Sequence, residues 1–265
     1  MSQIEPVVIR TDNTGGTDGL TTLTLNRPKQ YNAMSEAVLE MLQHQLDTIA
    51  QDESIRVVIL AANGKAYCAG HDLKEMSAHK DKSYHSTLFE RCSRMMMSIN
   101  RLPQPVIARV QGLAAAAGCQ LVGACDLAVA AETAQFATSG IRLGLFCSTP
   151  AVAVSRNLSR KQAMEMLLTG EFIDAQTALA YGLINRVVPH GALDQTIQEL
   201  AGAIIAKSPV AVTVGKEMFY KQLEMGMEAA YVYASEVMAC NMMANDVTEG
   251  MDAFFEKRQP VWQGK

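Results

Sequence analysis

The tract Gln111 to Asp126, QGLAAAAGCQLVGACD, holds four consecutive alanines between Gly112 and Gly118, so its backbone is bare enough to touch a ligand. Beyond them Cys119, Leu121, Val122 and Ala124 recur at a spacing suited to a buried helix opening at Ala117 and Gly118. The first N–H groups of such a helix have no intrahelical acceptor and sit at its positive end, where an oxyanion is stabilised. A small-residue helix packed closely on a sheet is the simpler explanation of this run taken alone. A second tract shifts the balance. Ala62 to Met76, ANGKAYCAGHDLKEM, follows the apolar stretch Val57 to Ala61 and passes through Ala69 and Gly70, offering a second exposed backbone turn.

Other residues of reactive type lack the company that chemistry needs. Cys147 and Ser148 have no GxSxG elbow and no Cys/His spacing around them, so covalent catalysis is not indicated. His44, His79 and His190 show no ligand spacing and are expected to face solvent. The six cysteines lie mostly inside apolar runs without a CxxC pair, which reads as reduced, buried thiols and no metal site.

With 265 residues and 49% hydrophobic composition the chain can bury a sizeable core. A net charge of −4 without basic clusters argues against a nucleic-acid surface. No apolar segment reaches the ~20 uncharged residues that a membrane span requires. MSQIEPVVIR lacks both a basic region with an apolar core and an Arg-rich amphipathic stretch. The expectation is a bacterial cytoplasmic protein, or a mature mitochondrial matrix chain without its transit peptide.

Strands are expected at Val7 to Arg10, Leu20 to Asn26, Val57 to Ala61, Val106 to Val110, Leu127 to Ala131 and Asn185 to Val188. Ser35 is a candidate N-cap for a helix to about Gln51, with Val38, Met41, Leu42, Leu46 and Ile49 on one stripe. Alternating strands and helices indicate an α/β class with partly parallel sheets. Thr14 to Gly19 reads as a loop and Asp81 to Ser86 as a polar, mobile one. After Ser208 the strand signal ends: Pro209 opens a helical unit that Pro260 stops. Its methionines and aromatics, among them Met218, Phe219, Met225, Met227, Tyr231, Tyr233, Met238, Met242 and Met243, suit either a core or an interface.

The two bare tracts, together with Asn26 to Met34 (NRPKQYNAM) and Phe136 to Thr149, resemble the crotonase, or enoyl-CoA hydratase/isomerase, superfamily in order and spacing. The resemblance runs from about Leu23 to Trp262. GLFCSTP, Gly144 to Pro150, further resembles the subgroup called enoyl-CoA hydratase domain-containing protein 3. The family likeness implies a ββα spiral over residues 1–208 that binds acyl-CoA, and a helical trimerisation domain over 209–265. Homotrimers, or hexamers built as dimers of trimers, are the implied assembly. Coenzyme A enters only as part of the substrate; no separate cofactor or metal is implied.

By the same resemblance, the backbone N–H groups of His71 and Ala117 would hold a thioester carbonyl and stabilise an enolate. His71 replaces the alanine usual in hydratases, and its imidazole reads equally as structural or catalytic. The stretch from Ala69 and Gly70 through Asp72, Leu73 and Lys74, with Gly118, matches substrate contacts. Lys29, Gln30 and Tyr31 match positions near the CoA nucleotide, and Phe254 and Lys257 match residues that approach CoA, often from a neighbouring subunit. Lys257 also reads as a solvated cation at a helix end.

The chain departs from the hydratase pattern at two places: Gln120 and Gly140 stand where hydratases carry glutamates. Neither transfers a proton, and each positioned acid or base contributes ~10²–10⁴-fold, so ordinary hydration is expected to be weak. Replacing both by Glu should restore it. Gln120 suits either a substrate contact or a backbone-satisfied amide. Arg142 lies two residues past Gly140, so an extended stretch there would turn both to one side. Three readings stay open: lyase or isomerase chemistry on an acyl-CoA, decarboxylation of a malonyl-type CoA thioester, and acyl-CoA binding without catalysis. AGHD, Ala69 to Asp72, resembles methylmalonyl-CoA decarboxylase of the same superfamily and motivates the second.

Overall fold

The computed structural model describes residues 5–265; residues 1–4, part of the N-terminus read for a leader, lie outside it. Its strands are β1 (Val8–Thr11), β2 (Leu20–Leu25), β3 (Val57–Ala62), β4 (Ala66–Cys68), β5 (Val106–Val110), β6 (Leu113–Ala115), β7 (Leu127–Ala131), β8 (Gln135–Ala137), β9 (Ile173–Asp174) and β10 (Arg186–Val188). Two sheets result, ordered β1-β2-β3-β5-β7-β10 and β4-β6-β8-β9. The first is parallel except at β1-β2, the second except at β8-β9.

The helices are α1 (Glu36–Ile49), α2 (Leu73–Ala78), α3 (Lys82–Arg101), α4 (Ala117–Ala124), α5 (Ser148–Asn157), α6 (Arg160–Thr169), α7 (Ala175–Tyr181), α8 (Leu193–Ile205), α9 (Pro209–Gln222), α10 (Met227–Asn241) and α11 (Asn245–Glu256). From β3 onward the chain places one strand in the large sheet, the next in the small sheet and then a helix: β3–β4–α2, β5–β6–α4, β7–β8–α5. That repetition is the ββα spiral.

The apolar strands run continuously because the large sheet is covered on both faces. Along β3, Val58, Leu60 and Ala62 enter the main core with Leu42 and Leu46 of α1 and Met95 of α3. Val57, Ile59 and Ala61 instead meet Leu193, Ile197 and Ala201 of α8. α1 starts where its cap was read: the Ser35 hydroxyl accepts the Val38 N–H at 3.3 Å, a bond worth ~1 kcal/mol.

Two local expectations are overturned. Asp81 to Ser86 is no loop: the Asp81 carboxylate accepts the Tyr84 N–H at 2.8 Å and opens the 20-residue α3. Polar residues there serve as a helix cap and a solvated first turn, which composition alone does not separate from a loop. Ser139–Leu143 is not extended but a 3-10 turn, ended by Gly144 at φ +79°.

The helices after Ser208 leave much of their apolar surface bare. No apolar residue of α9 or α10 is buried in the single chain, and Met227, Tyr231, Met238 and Met243 are all more than two-thirds exposed. In the monomer these methionines are not a core.

Candidate active site

The two bare turns meet because the strands feeding them are neighbours. β4 and β6 are parallel, with Cys68 opposite Ala114, so the segments leaving their carboxyl ends emerge side by side. Gly70, at φ +99°, lies so close to the second turn that a Cβ there would sit 3.0 Å from the Ala116 Cβ and 3.5 Å from the Ala117 nitrogen. Gly118 is needed for the same approach, since its Cβ would fall 2.0 Å from the Cys68 carbonyl oxygen. Ala116 is held at φ 49°, ψ −116°, a conformation costly for alanine, of order 1–3 kcal/mol. Strain of this kind persists only where surrounding packing enforces it, and here it aims the first amides of α4.

His71 is aimed by a different device. It forms a parallel bridge with Met34, whose N–H donates to the Gly70 carbonyl at 2.8 Å and whose carbonyl accepts the Asp72 N–H at 3.1 Å. In a parallel bridge the flanking residues make both bonds, so the N–H of His71 points away from Met34. Among the described residues neither the His71 nor the Ala117 N–H donates to a protein acceptor. Two unused donors in touching turns, one at a helix N-terminus, form the geometry that stabilises a developing oxyanion.

The other residues singled out from sequence scatter into distinct roles. Asp72 caps α2 by accepting the Lys74 N–H at 3.1 Å, and its second oxygen receives both Arg27 guanidinium nitrogens at 3.1 Å. Burial raises its pKa, but Arg27 and the Lys74 and Glu75 amides more than offset this, leaving it below the usual carboxylate range. Leu73 and Lys74 are exposed. Ala69 donates its N–H to the Tyr31 carbonyl at 3.0 Å, tying the exposed Lys29, Gln30 and Tyr31 to the rim of the turns. Phe254 is 78% exposed near the end of α11, and Lys257 terminates that helix at φ 55°. No hydrogen bond joins either to the turns.

Two residues that sequence reasoning passed over support this rim. Asn32, 1% exposed and at φ 53°, accepts the Arg27 N–H at 2.8 Å and donates to the carbonyls of Asn63 and Ala66 at 2.8 Å. An Asn beside a Pro-containing turn was the available signal, because Asn tolerates the left-handed region. Lys65 places its Nζ 5.0 Å over the Tyr31 ring and adds a second cation near Lys29.

Gln120 follows Ala117 by one helical turn, on the same face, and is 4% exposed. Its Oε1 has neither a protein donor nor solvent, so the amide is not simply satisfied by backbone. At Gly140 there is no room for a side chain: its N–H donates to the Cys147 thiol at 3.2 Å, and a Cβ would lie 2.8 Å from that sulfur and 2.7 Å from the Leu145 carbonyl oxygen. Arg142 does not share a face with Gly140. It pairs with Glu171 at 2.6 Å over the Phe172 ring, at the surface.

A model of the enoyl-CoA hydratase/isomerase family matches residues 15–265. The chain belongs to that family. It is 45% identical over 253 residues to the mitochondrial enoyl-CoA hydratase domain-containing protein 3 of Rattus norvegicus, covering 96% of this chain and 84% of the rat protein. A crystal structure of an enoyl-CoA hydratase from Mycobacterium smegmatis superposes with a TM-score of 0.95 at 55% identity, over 97% of this chain and 99% of that one. The human enoyl-CoA hydratase domain-containing protein 3 gives 0.93 at 43% identity, over 97% and 100%. Within the family the chain falls in the domain-containing protein 3 subgroup. This family member therefore has the crotonase fold, with its two turns on adjacent strands.

Proposed function

We propose that the chain binds an acyl-CoA thioester with its carbonyl oxygen between the N–H groups of His71 and Ala117, and that it promotes lyase- or isomerase-type chemistry through the thioester enolate. The observation carrying this reading is the pair of unused amides in touching turns. They act on charge that grows as the α-carbon loses a proton or a carboxylate, so they favour the transition state over the bound substrate. No separate cofactor enters; coenzyme A arrives with the substrate, and the rim of Lys29, Lys65 and Tyr31 suits its anionic nucleotide end.

Ala117→Pro tests it. Proline fits the first position of a helix, where the lost N–H serves no intrahelical bond. One oxyanion donor is worth ~2.7–4 kcal/mol in the transition state, so turnover should fall about 10²–10³-fold while Ala117→Gly keeps its rate. Unchanged acyl-CoA affinity and turnover in a folded Ala117→Pro protein would reject the oxyanion assignment.

A second reading, decarboxylation of a malonyl-type thioester, rests on the absence of a carboxylate at both Gln120 and Gly140. Loss of CO₂ produces the same enolate directly and needs no strong base. The neutral Gln120 amide repels no malonyl carboxylate. Binding without turnover is the remaining alternative.

The bare faces of α9, α10 and α11 support assembly into a trimer, or a dimer of trimers, with Phe254 and Lys257 reaching a neighbour's CoA. Large contiguous apolar surface on a folded chain is rarely left in water. Light scattering at micromolar concentration should give three or six times the 28.7 kDa chain mass; a monomer would reject the interface. No single helix among the described residues is long and apolar enough to cross a membrane. On compartment the relatives divide, the rat protein being mitochondrial and the 55% identical one coming from a bacterium.

A further inference from the structure

The imidazoles of His71 and His85 leave three nitrogens without a partner beside the oxyanion turns. Both ring nitrogens of His71 and Nδ1 of His85 are shut off from solvent and make no well-formed hydrogen bond, although the Met34 backbone lies close enough to the His71 ring to raise its pKa against the larger effect of burial. The two rings flank Phe89 of α3: His71 meets it edge-on at 5.5 Å between centroids, and His85 lies roughly parallel to it at 6.3 Å. A buried unpaired nitrogen costs about 1–3 kcal/mol. Three around a single phenyl ring are a local defect that apolar side chains of similar size would remove. The other orphaned atoms, such as those of Gln43 and Gln104, belong to single side chains elsewhere in the sequence.

Resting on the acyl-CoA reading above, we propose that His71 and His85 form an acyl-recognition subsite for an uncharged oxygen substituent, hydroxyl or keto, on the first few carbons of the acyl chain. The His71 ring hangs from the residue whose amide meets the thioester oxygen, so it lies within a few bonds of those carbons. A half-turn of an imidazole exchanges its nitrogens with ring carbons and keeps its outline, presenting a donor or an acceptor without repacking Phe89.

The surroundings favour an uncharged group over a carboxylate. Arg27 is committed to Asp72, and Arg91 to Glu36, which also accepts the Tyr84 hydroxyl at 2.8 Å. Glu75 accepts the Glu36 N–H at 2.9 Å. A carboxylate brought into this corner would find no uncommitted guanidinium and would face three acidic neighbours. Burial holds the His71 pKa at about 4, so its ring is neutral at pH 7 and donates from one nitrogen while accepting at the other.

The experiment is calorimetric binding of butyryl-CoA, 3-hydroxybutyryl-CoA, acetoacetyl-CoA and succinyl-CoA to the full chain, its His71→Phe variant and its His85→Phe variant. One satisfied hydrogen bond near 1.4 kcal/mol corresponds to tenfold, so the wild type should prefer the hydroxy or keto ligand over butyryl-CoA by about tenfold or more. His85→Phe, which leaves both oxyanion turns untouched, should reduce that preference below about threefold while holding butyryl-CoA about as tightly, and His71→Phe should reduce the preference as well. A wild type that binds all four alike, or prefers succinyl-CoA, overturns the subsite but leaves the acyl-CoA reading standing. So does a preference that survives in both variants. Failure of all four to bind the wild type removes the acyl-CoA reading and the subsite together.

Discussion

Crotonyl-CoA hydration should run at least ~10³-fold below that of a family member carrying both glutamates. Hydration needs one group to activate water and one to deliver a proton to the α-carbon, each contributing ~10²–10⁴-fold. Gln120 exchanges no proton, and Gly140 has no side chain. Restoring both carboxylates looked sufficient from sequence, but the structure opposes it. A Cβ at 140 would press on the Leu145 carbonyl oxygen at 2.7 Å, a backbone atom that yields only if the turn moves, and on the Cys147 sulfur at 2.8 Å. Gly140→Glu, alone or with Gln120→Glu, should therefore lower the melting temperature and leave hydration unrescued. Spectrophotometric loss of the enoyl band measures the rate. Robust hydration by the wild type would show that another carboxylate, such as Glu75, reaches the substrate. The same preparations, incubated with malonyl-CoA, methylmalonyl-CoA and ethylmalonyl-CoA, decide the second reading by mass spectrometry: rates equal to buffer for all three reject decarboxylation.

Lys216→Met should destabilise the chain by about 3–5 kcal/mol, the usual cost of stripping one partner from a buried ion pair. Lys216 of α9, with its side chain 7% exposed, donates to the carbonyls of Ile99 and Gln104 at 2.9 Å and to Asp126 at 2.7 Å. Asp126 also accepts the Val106 N–H at 2.7 Å and the Tyr220 hydroxyl at 2.9 Å. Burial lowers the Lys216 pKa more than Asp126 raises it, so desolvation is not fully offset. The pair is thus a poor source of net stability and yet costly to break, since the methionine leaves two carbonyls and one carboxylate without their cation. Urea unfolding of Lys216→Met, Asp126→Asn and the double variant measures this. The double variant should cost clearly less than the two single losses added together; strict additivity would show that the groups are not coupled. Because this cluster fastens α9 to α3, β5 and the turn after α4, loss of the proposed trimer should accompany loss of stability.

The large sheet was legible because its strands are four to six residues of apolar or alternating sequence, except β10, and all six expected strands are found in it. The small sheet was not read at all. Its four strands are two or three residues long, too short to show a period, and they run through the tracts Ala66 to Cys68 and Leu113 to Ala115 that read as bare turns. The helical run at Ala117 was legible from its apolar spacing, and the Ser35 cap from its residue type. The start of α3 was missed because Asp81 looks the same in a cap as in a loop.

The sequence by itself determined that two exposed backbone turns exist, that a helix opens at Ala117, that neither Gln120 nor Gly140 can move a proton, and, through four ordered motifs, which family the chain belongs to. These are properties of residue type and local spacing, which need no knowledge of distant contacts. Only the tertiary structure decided that the turns touch, because their adjacency comes from the pairing of β4 with β6, strands more than forty residues apart. It also decided that the Cys147 thiol and the Leu145 carbonyl close the position at Gly140, that Arg142 turns outward to Glu171, and that the methionines of α10 face solvent in the single chain. Each depends on where the chain returns in space, and a side chain's chemical type does not encode which neighbour the fold brings to it.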